Sequence, residues 1–305
     1  THLIGFASRK LKSRTNAKHA FTIVALVLIA AILASLSPAF EERTSRTPMM
    51  TSPIEDASQG ILSNATGDFI VNLWWHKGYL YEYYLDDDVL IDNAGGGSGN
   101  PMFYWTARAL TTTNETEAIQ IFRMLDCGKR SRNHEINLSR EFCKNPQKGY
   151  LVLDNNLIGK MDVLLYYTNW DFDAEEHEDF RLPKIPSVSQ PSVCSQNKEQ
   201  TLMKCGSNFV LDMKQGELKY KGQPFPVVIV GQNDVFESNR TGPYSLLVYP
   251  ESGTYKAVLI KTELIDSVFA RLYFMKGMGM ERFRPLSDVS DPIGGRVVTY
   301  IKKWG

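Results

Sequence analysis

Trp74-Trp75-His76-Lys77-Gly78 is the stretch around which the rest of this sequence is organised. It follows residues 68–73, whose apolar side chains predict a strand. Neighbouring side chains of a regular strand point to opposite faces, so two adjacent indoles should not enter the same core. One of them is therefore expected to cover a second layer, a membrane surface or a ligand. The alternative is that both are ordinary packing aromatics.

The composition is that of an ordinary globular protein. The 305 residues include 34 Lys and Arg against 34 Asp and Glu, and 43% are hydrophobic. A chain of this length can bury one large core or two smaller ones without structural staples. Because the charges are balanced, the sequence lacks the basic excess typical of nucleic-acid binding, and we expect no nucleic-acid partner.

An apolar segment near the N-terminus predicts a membrane anchor. No charged residue lies between His19 and Glu41, and the apolar run with its weakly polar edge covers residues 20–40. About 20 residues at ~1.5 Å each are enough to cross a hydrocarbon layer of ~30 Å. The basic residues lie before this run, so residues 1–19 are expected to be cytosolic and residues after about 41 extracytoplasmic, at the cell membrane. A cleaved signal peptide is the alternative, because residues 34–37 resemble a small-residue cleavage site.

The rest of the chain is divided by composition and periodicity. Residues 41–59 are polar and contain prolines, as is typical of a linker. Residues 60–182 mix strand and helix patterns, with helix starts at Pro101 and Asn114. Residues 183–226 are expected to be an irregular insertion, and residues 227–305 a β-rich C-terminal part. The predicted fold class is α+β, with one N-terminal transmembrane helix before a mixed α/β extracytoplasmic domain.

The four cysteines are expected to form disulfides if this domain is extracytoplasmic. Cys127 and Cys143 are near each other in sequence, as are Cys194 and Cys205, and an even count in an oxidising compartment favours two local disulfides. Zinc binding is the alternative. However, the sequence contains no Cys-x-x-Cys pair, and its histidines do not lie at ligand spacing around the cysteines. We therefore predict disulfides and no metal site.

Four Asn-x-Ser/Thr sequons follow the apolar segment. They are N-glycosylation acceptors only on the extracytoplasmic side of a membrane. The acceptor residues would be Asn64, Asn114, Asn137 and Asn239. The sequons agree with the predicted topology.

Three separated segments together resemble one family, the archaeal oligosaccharyltransferase catalytic subunit. Trp74-Trp75-His76-Lys77-Gly78, followed by Asp92-Asn93, is similar to that family's Trp-Trp-Asp-Tyr-Gly signature and the Asp-Asn after it. Asp154 with Lys160-Met161 resembles its second motif. Ser267-Val-Phe-Ala-Arg-Leu-Tyr-Phe-Met-Lys-Gly-Met-Gly-Met-Glu-Arg-Phe283 resembles its stretch Ser-Val-Phe-x-Arg-Leu-Tyr-Phe-x-x-Gly-x-Gly-x-x-x-Phe. The chain thus resembles the C-terminal region of that subunit, its last membrane helix plus globular domain, with a degenerate signature.

The resemblance implies a peptide-binding site. In that family the Trp-Trp-Asp triplet hydrogen-bonds the Ser or Thr hydroxyl two residues after the acceptor Asn, and such a site rejects peptides that lack the hydroxyl. His76 stands where the family has the carboxylate, and Lys77 where it has the tyrosine. A neutral imidazole can still accept a hydrogen bond. The site residues carried over by position are Trp74, Trp75, His76, Lys77, Gly78, Lys160 and Met161.

The resemblance also implies where catalysis would occur. The family's catalytic carboxylates and metal ligands lie in a membrane domain with many helices, whereas this chain shows one candidate helix. We therefore assign no catalytic residue to it. We expect no cofactor in this chain, and a divalent metal only if a catalytic membrane domain completes it.

Three functional hypotheses follow. The first is a single-pass membrane-anchored paralogue, non-catalytic by itself, that acts as an accessory or structural subunit of a membrane complex. The second is a part of an active oligosaccharyltransferase that transfers a lipid-linked glycan to the Asn of Asn-x-Ser/Thr. The third is an anchored envelope protein with no peptide-binding role. The expected partners are the membrane, other membrane-protein chains and, under the second hypothesis, Asn-x-Ser/Thr peptides.

Overall fold

Two large β-sheets and six α-helices build the part of the chain that the structure, a computed structural model, describes. The described residues are 52–86, 89–91, 101–127, 143–172, 176–177, 185–199, 201–231, 234–238, 241–291 and 295–304. Mixed α and β structure with a predominance of strands confirms the α+β class.

The helices follow their local start signals. Asn114 accepts hydrogen bonds from the backbone N–H groups of Thr116 and Glu117 and so caps the helix that begins at Glu115. Ser267 caps the last helix in the same way through the N–H of Ala270. The helices are α1 (Ser52–Asn64), α2 (Gly78–Leu85), α3 (Pro101–Thr111), α4 (Glu115–Leu125), α5 (Met161–Thr168) and α6 (Val268–Tyr273). Short 3-10 helices cover Trp75–Lys77, Asn155–Lys160 and Thr262–Leu264.

The strands form a four-stranded sheet, a nine-stranded sheet and a two-stranded ribbon. In chain order they are β1 (Phe69–Asn72), β2 (Lys148–Asp154), β3 (Trp170–Asp171), β4 (Glu176–His177), β5 (Ser192–Gln196), β6 (Leu202–Cys205), β7 (Phe209–Asp212), β8 (Glu217–Tyr220), β9 (Gln223–Phe225), β10 (Val227–Val230), β11 (Val235–Glu237), β12 (Tyr244–Glu251), β13 (Thr254–Lys261), β14 (Phe283–Ser290) and β15 (Arg296–Lys302).

The four-stranded sheet is covered on both faces. Its order is β1-β2-β15-β14, with β1 parallel to β2 and the other pairs antiparallel. Tyr150 and Val152 of β2 pack in a cluster with residues of α1 and α2. Leu151 and Leu153 face the main core, which also contains residues of α3 to α6. This alternation is the one that a strand with two buried faces requires.

The nine-stranded sheet has the order β11-β10-β12-β13-β5-β6-β7-β8-β9. One face of β10, β12 and β13 belongs to the main core, through side chains such as Val228 and Val258. The opposite face holds a separate cluster that includes Met203, Leu211 and Val248. The two sheets therefore share one core, and the hairpins of β5 to β9 have a smaller core of their own.

Two predicted irregular regions contain regular structure. Within the predicted linker 41–59, residues from Ser52 onward form α1, because Ile54, Ala57 and Ile61 lie at helical spacing and are all buried. The predicted irregular insertion 183–226 contains β5 to β9 instead. These strands are only three to five residues long and are joined by tight turns such as Lys221-Gly222, where both φ values are positive.

Some predictions lie outside the described residues. These are the cytosolic segment 1–19, the transmembrane helix at 20–40, Asp92-Asn93, and the sequons at Asn137 and Asn239. Among the residues that are described, no helix has the length and apolar character needed to span a bilayer.

Both predicted disulfides are confirmed. Cys127, after the end of α4, is bonded to Cys143, which precedes β2. Cys194 of β5 is bonded to Cys205 of β6, directly opposite in the antiparallel register. The first bond links the two ends of the segment between α4 and β2, and the second staples a hairpin whose own core is small.

Candidate functional site

The tryptophan pair lies where β1 gives way to a 3-10 turn. β1 ends at Asn72, and Trp75 already begins the turn Trp75–Lys77. Trp74 is 2% exposed and Trp75 is half-buried, and both indoles pack edge-on against Phe103 of α3, with ring centroids 5.7 and 6.4 Å away. The expected alternation across a strand is therefore wrong, because the strand has ended before the pair and the turn brings both rings to one core.

An aromatic cluster holds this pair in place. Phe103 stacks on Tyr167 of α5 with ring centroids 5.2 Å apart, and Tyr167 also contacts Trp74 at 5.8 Å. Met161, at the start of α5, is 1% exposed and belongs to the same core as Trp74. Trp74 and Met161 are thus core residues, and their predicted part in peptide binding stays a prediction.

The indole nitrogens of this cluster lack hydrogen-bond partners. Within the described residues, the buried Nε1 atoms of Trp74, Trp75 and Trp105 have no acceptor. A buried donor without an acceptor costs about 1–3 kcal/mol. These groups are consequently available to an acceptor that a ligand or a water molecule would bring.

Asp154 is the carboxylate of the site. Strand β1 is parallel to β2 with Asn72 opposite Leu151, so residues 75 to 77 lie near the level of Asp154 at the carboxyl ends of the two strands. Oδ2 of Asp154 is 3.2 Å from Nε2 of His76 and 3.4 Å from Nζ of Lys77. The two residues that replace the family's carboxylate and tyrosine are thereby brought together on one carboxylate.

The other oxygen of Asp154 is also engaged. The backbone N–H groups of Asn156 and Leu157 donate to Oδ1 at 3.0 and 3.2 Å, which caps the 3-10 helix Asn155–Lys160. Asp154 thus accepts two hydrogen bonds at Oδ1, and two basic side chains lie at ion-pair distance from Oδ2. A ligand that used Oδ2 as an acceptor would have to compete with them.

The environment of Asp154 favours its charged form. Burial by itself raises the pKa of this carboxyl, but the polar contact with His76 and the charges of His76 and Lys77 together hold the pKa below its ordinary value. Asp154 is 6% exposed, so it is screened little by solvent. The Asp154 carboxylate therefore has two roles. It caps the 3-10 helix Asn155–Lys160, and it interacts electrostatically with His76 and Lys77.

Asp154→Asn is expected to destabilise the fold in a pH-dependent way. Asn keeps a capping oxygen but loses the charge, so we expect a loss of about 2 kcal/mol in the free energy of unfolding at neutral pH. A carboxyl with a lowered folded pKa stabilises the fold above its unfolded pKa, about 3.9, and stops doing so as the pH falls through the folded pKa. Urea titrations of both proteins should thus converge below about pH 4. A difference that is constant from neutral to acidic pH would contradict this assignment.

A cavity of about 10 Å³ adjoins the site. This is room for about one water molecule and is too small for a threonine side chain. The hydroxyl of Tyr81 is buried there without a hydrogen-bond partner among the described residues, and burial, with a smaller effect of Asp154, raises its pKa. The lining residues are Leu73, Trp74, His76, Tyr81, Val152, Asp154 and Leu157.

The two remaining predicted site residues, Gly78 and Lys160, lie in different helical elements. Gly78 is buried at the start of α2, and half-buried Lys160 ends the 3-10 helix that Asp154 caps. The predicted site residues did not include Tyr81, nor Asp154, although the sequence had placed Asp154 in the second motif. The position of Asp154 at the end of a buried strand was a further signal, since residues at the carboxyl ends of neighbouring parallel strands lie close together.

Among the predicted glycosylation sites, Asn114 is exposed at the start of α4, and Asn64, at the end of α1, accepts a hydrogen bond from Nζ of Lys148. Occupancy of the four sequons stays a prediction.

Two curated relatives match part of this chain. The dolichyl-phosphooligosaccharide-protein glycotransferase of Methanocaldococcus jannaschii is 32% identical over 81 residues, which are 27% of this chain and 8% of that protein. The protein of the same name from Methanococcus voltae is 29% identical over 103 residues, 34% of this chain and 10% of that protein. The match thus spans about a tenth of each relative. No protein-family model matches the chain.

A solved structure shares the fold. The C-terminal domain of C. jejuni PglB superposes with a TM-score of 0.51 at 13% identity, covering 82% of this chain and 99% of that domain. The archaeal matches agree with the family resemblance inferred from the sequence. The chain therefore carries a domain that resembles the C-terminal globular domain of the oligosaccharyltransferases, with a degenerate Trp-Trp-Asp-Tyr-Gly motif.

Proposed function

We propose that this chain is a membrane-anchored paralogue of the oligosaccharyltransferase C-terminal domain, non-catalytic by itself, that acts as an accessory or structural subunit of a membrane complex. The similarity to archaeal glycotransferases supports an oligosaccharyltransferase-related role. The proposed accessory role rests on the chemistry around the tryptophan pair.

The contacts of Asp154 are the main support for this proposal. None of the seven predicted site residues has a carboxylate, and Asp154, which contacts His76 and Lys77, is engaged on both oxygens. A Ser or Thr hydroxyl that binds two indole donors also needs an acceptor for its own proton. Without a free carboxylate, the site loses the preference for a hydroxyl on which sequon recognition depends.

The extent of the match limits what the similarity supports. The matched segment is 8% of one relative and 10% of the other, so the similarity supports a role related to that segment and does not extend to steps that depend on the remainder of those proteins. Among the described residues, no group of three or more His, Cys, Asp or Glu side chains is placed to hold a metal ion. We propose a divalent metal only together with a catalytic membrane domain.

The proposed location is the extracytoplasmic side of the cell membrane, with the N-terminus in the cytosol and one helix at residues 20–40. Two disulfides support an oxidising compartment, because such bonds persist there and are rare in the cytosol. The expected partners are other membrane-protein chains. Purification from native membrane, with mass-spectrometric identification of co-purifying proteins, tests this; recovery of the chain without any partner would favour the anchored envelope protein.

The full chain is expected to bind peptides with the same affinity whether or not they carry the sequon hydroxyl. Asn-x-Thr and Asn-x-Ala peptides should bind equally weakly, because the hydroxyl finds no carboxylate. Tryptophan fluorescence titration measures this, and Trp75→Ala should leave both affinities unchanged. A clear preference for the threonine peptide that Trp75→Ala removes would overturn the proposal.

The second candidate function is a part of an active oligosaccharyltransferase. It is favoured by the unpartnered indole nitrogens of Trp74 and Trp75 together with Nδ1 of His76, which is also buried without a partner among the described residues. Neutral imidazole can accept a hydrogen bond at this nitrogen. Under this candidate the full chain should bind the Asn-x-Thr peptide more tightly than the Asn-x-Ala peptide, and Trp75→Ala should remove that preference, which distinguishes it from the first.

A further inference from the structure

Asn72, Asp126 and Lys302 form a polar triad in the interior of the domain. Asn72 and Asp126 are 0% exposed, and so is the side chain of Lys302. Nδ2 of Asn72 donates to Oδ1 of Asp126 at 2.5 Å, and Nζ of Lys302 lies 2.5 Å from Oδ2 of the same carboxyl group. One carboxyl group therefore contacts both a carboxamide and a primary amine, and it does so away from water.

Three elements that are distant in sequence bring the triad together. Asn72 ends β1, Asp126 follows α4, and Lys302 ends β15. Strands β1 and β15 lie on the two sides of β2, which carries Gly149. A β-carbon on Gly149 would overlap Asp126 and Cε of Lys302, so the triad occupies the space that a side chain of β2 would otherwise fill.

The surroundings make the neutral amine of Lys302 accessible. The rings of Phe122 and Trp304 lie 5.2 and 5.3 Å from Nζ, and apart from Asp126 this atom has no polar partner among the described residues. Burial lowers the pKa of Lys302 to about 8, although Asp126 opposes this shift, and burial raises the pKa of Asp126 to about 6. Transfer of one proton from the ammonium to the carboxylate removes two buried charges and leaves an amine, which is a nucleophile.

We propose that the chain joins Lys302 to Asn72 through an amide bond that it forms without another enzyme. The neutral Nζ attacks Cγ of Asn72, and the Nζ–Cγ bond forms. One proton passes from Nζ to Nδ2 through the carboxyl group of Asp126, which contacts both nitrogens. The Cγ–Nδ2 bond then breaks, and Nδ2 leaves as ammonia. The exchange of one amide for another neither oxidises nor reduces any group, and it needs no co-reactant.

The bond is expected to form slowly after folding. Oδ1 of Asn72 has no hydrogen-bond donor among the described residues, so the negative charge that develops on it during attack is not stabilised by one. Unlinked and linked chains should therefore coexist. In the unlinked chain Lys302 and Asp126 form an ion pair, and stability comparisons at Lys302 refer to this form.

The bond would connect the first and last strands of the domain, β1 and β15. Most of the domain would then remain a closed loop when it unfolds, which restricts the unfolded state as a disulfide does. The inference stands on the triad and does not depend on the accessory role proposed above.

Intact mass spectrometry of the full chain, reduced and denatured at successive times after purification, tests this bond. A growing fraction should be lighter by the mass of one ammonia molecule, and proteolytic digestion should yield a branched peptide that joins Asn72 to Lys302. Lys302→Met removes the nucleophile, and Asp126→Asn removes the group that transfers the proton at nearly constant volume. Neither variant should form the bond. Lys303→Met, at the neighbouring exposed lysine, is the matched control and should form it like the wild type.

Several outcomes would overturn the proposal. A wild-type chain that keeps its full mass, while near-ultraviolet circular dichroism shows it to be folded, would exclude the bond. Loss of ammonia without the branched peptide would assign the loss to cyclisation of an asparagine. Loss of water with a branch at Asp126 would make Asp126 the group attacked. A folded Asp126→Asn chain that forms the bond as fast as the wild type would refute the proton transfer. The wild-type digest decides the bond even where a variant fails to fold.

Discussion

Lys302→Met is expected to lower the free energy of unfolding by about 3–5 kcal/mol, the cost of leaving a buried charge without its partner. Nζ of Lys302 lies 2.5 Å from Oδ2 of Asp126, and both side chains are 0% exposed. Asn72 donates to the other oxygen of Asp126 and would remain as its partner. Methionine has nearly the length of lysine, so the loss reports the charge more than a cavity.

The loss of unfolding free energy in Lys302→Met should depend on pH. Burial raises the pKa of Asp126 to about 6, although the charge of Lys302 and hydrogen bonds from Lys302 and Asn72 oppose this shift. Without Lys302 the pKa should rise further. A carboxyl with a raised folded pKa favours the fold below its unfolded pKa, and this contribution is lost as the pH rises through the folded pKa. The cost of Lys302→Met is therefore expected to be largest above pH 6 and smaller near pH 4.

Two further variants separate charge from volume. Lys303→Met changes the neighbouring exposed lysine and should be nearly neutral. Asp126→Asn combined with Lys302→Met removes both charges, keeps an acceptor oxygen for Asn72 and should recover most of the lost stability, because no buried ion remains to be desolvated. Urea titration of the full chain, followed by tryptophan fluorescence, measures each free energy. Equal stability of the Lys302 and Lys303 variants would show that the pair is not buried as described.

Gly149→Ala is expected to cost about 3 kcal/mol, a large loss for one added methyl group. Gly149 is buried in β2, and a β-carbon there would overlap the carboxylate of Asp126 and Cε of Lys302. The ion pair would have to move while remaining buried, so strain would be added to a weakened electrostatic contact. Glycine in a strand often marks such a close approach.

Gly60→Ala is the matched control for this prediction. Gly60 lies in α1, where an added β-carbon would meet nothing nearer than Ser287 at 3.9 Å. Alanine should stabilise the helix by up to about 1 kcal/mol. The two substitutions are chemically identical, so opposite signs in the urea titration would show that the surroundings decide the effect. A Gly149 variant as stable as the wild type would refute the close approach.

Much of the local structure was predictable from the sequence. The caps at Asn114 and Ser267 act through backbone groups within three residues, so their effect is visible in the sequence itself. Two local disulfides were favoured by the spacing of the four cysteines and the expected compartment, and the structure gave their connectivity. The resemblance to the oligosaccharyltransferase C-terminal region was likewise visible in the sequence, and the similarity to two archaeal relatives confirmed it.

The errors arose where tertiary packing overrides local signals. Polar composition suggested a linker up to residue 59, but three apolar side chains on one face of α1 were enough to dock it on the core. The short strands β5 to β9 were missed because three to five residues give too little alternation to detect, and their pairing is decided by turns and neighbours. The alternating faces expected for the tryptophan pair assumed that strand geometry continues through it, but β1 ends at Asn72.

By itself, the sequence determined the α+β class, the helix starts at Pro101 and Asn114, the presence of two disulfides and the likeness to oligosaccharyltransferase C-terminal domains, because these depend on neighbouring residues or on motifs that are visible in the sequence. Only the tertiary structure decided that His76 and Lys77 meet on Asp154, that Asp126 and Lys302 form a buried pair, and that Gly149 must remain small. Each of these contacts joins residues that are distant in the chain. The parallel pairing of β1 with β2 and the burial of β15 beside them bring those residues together.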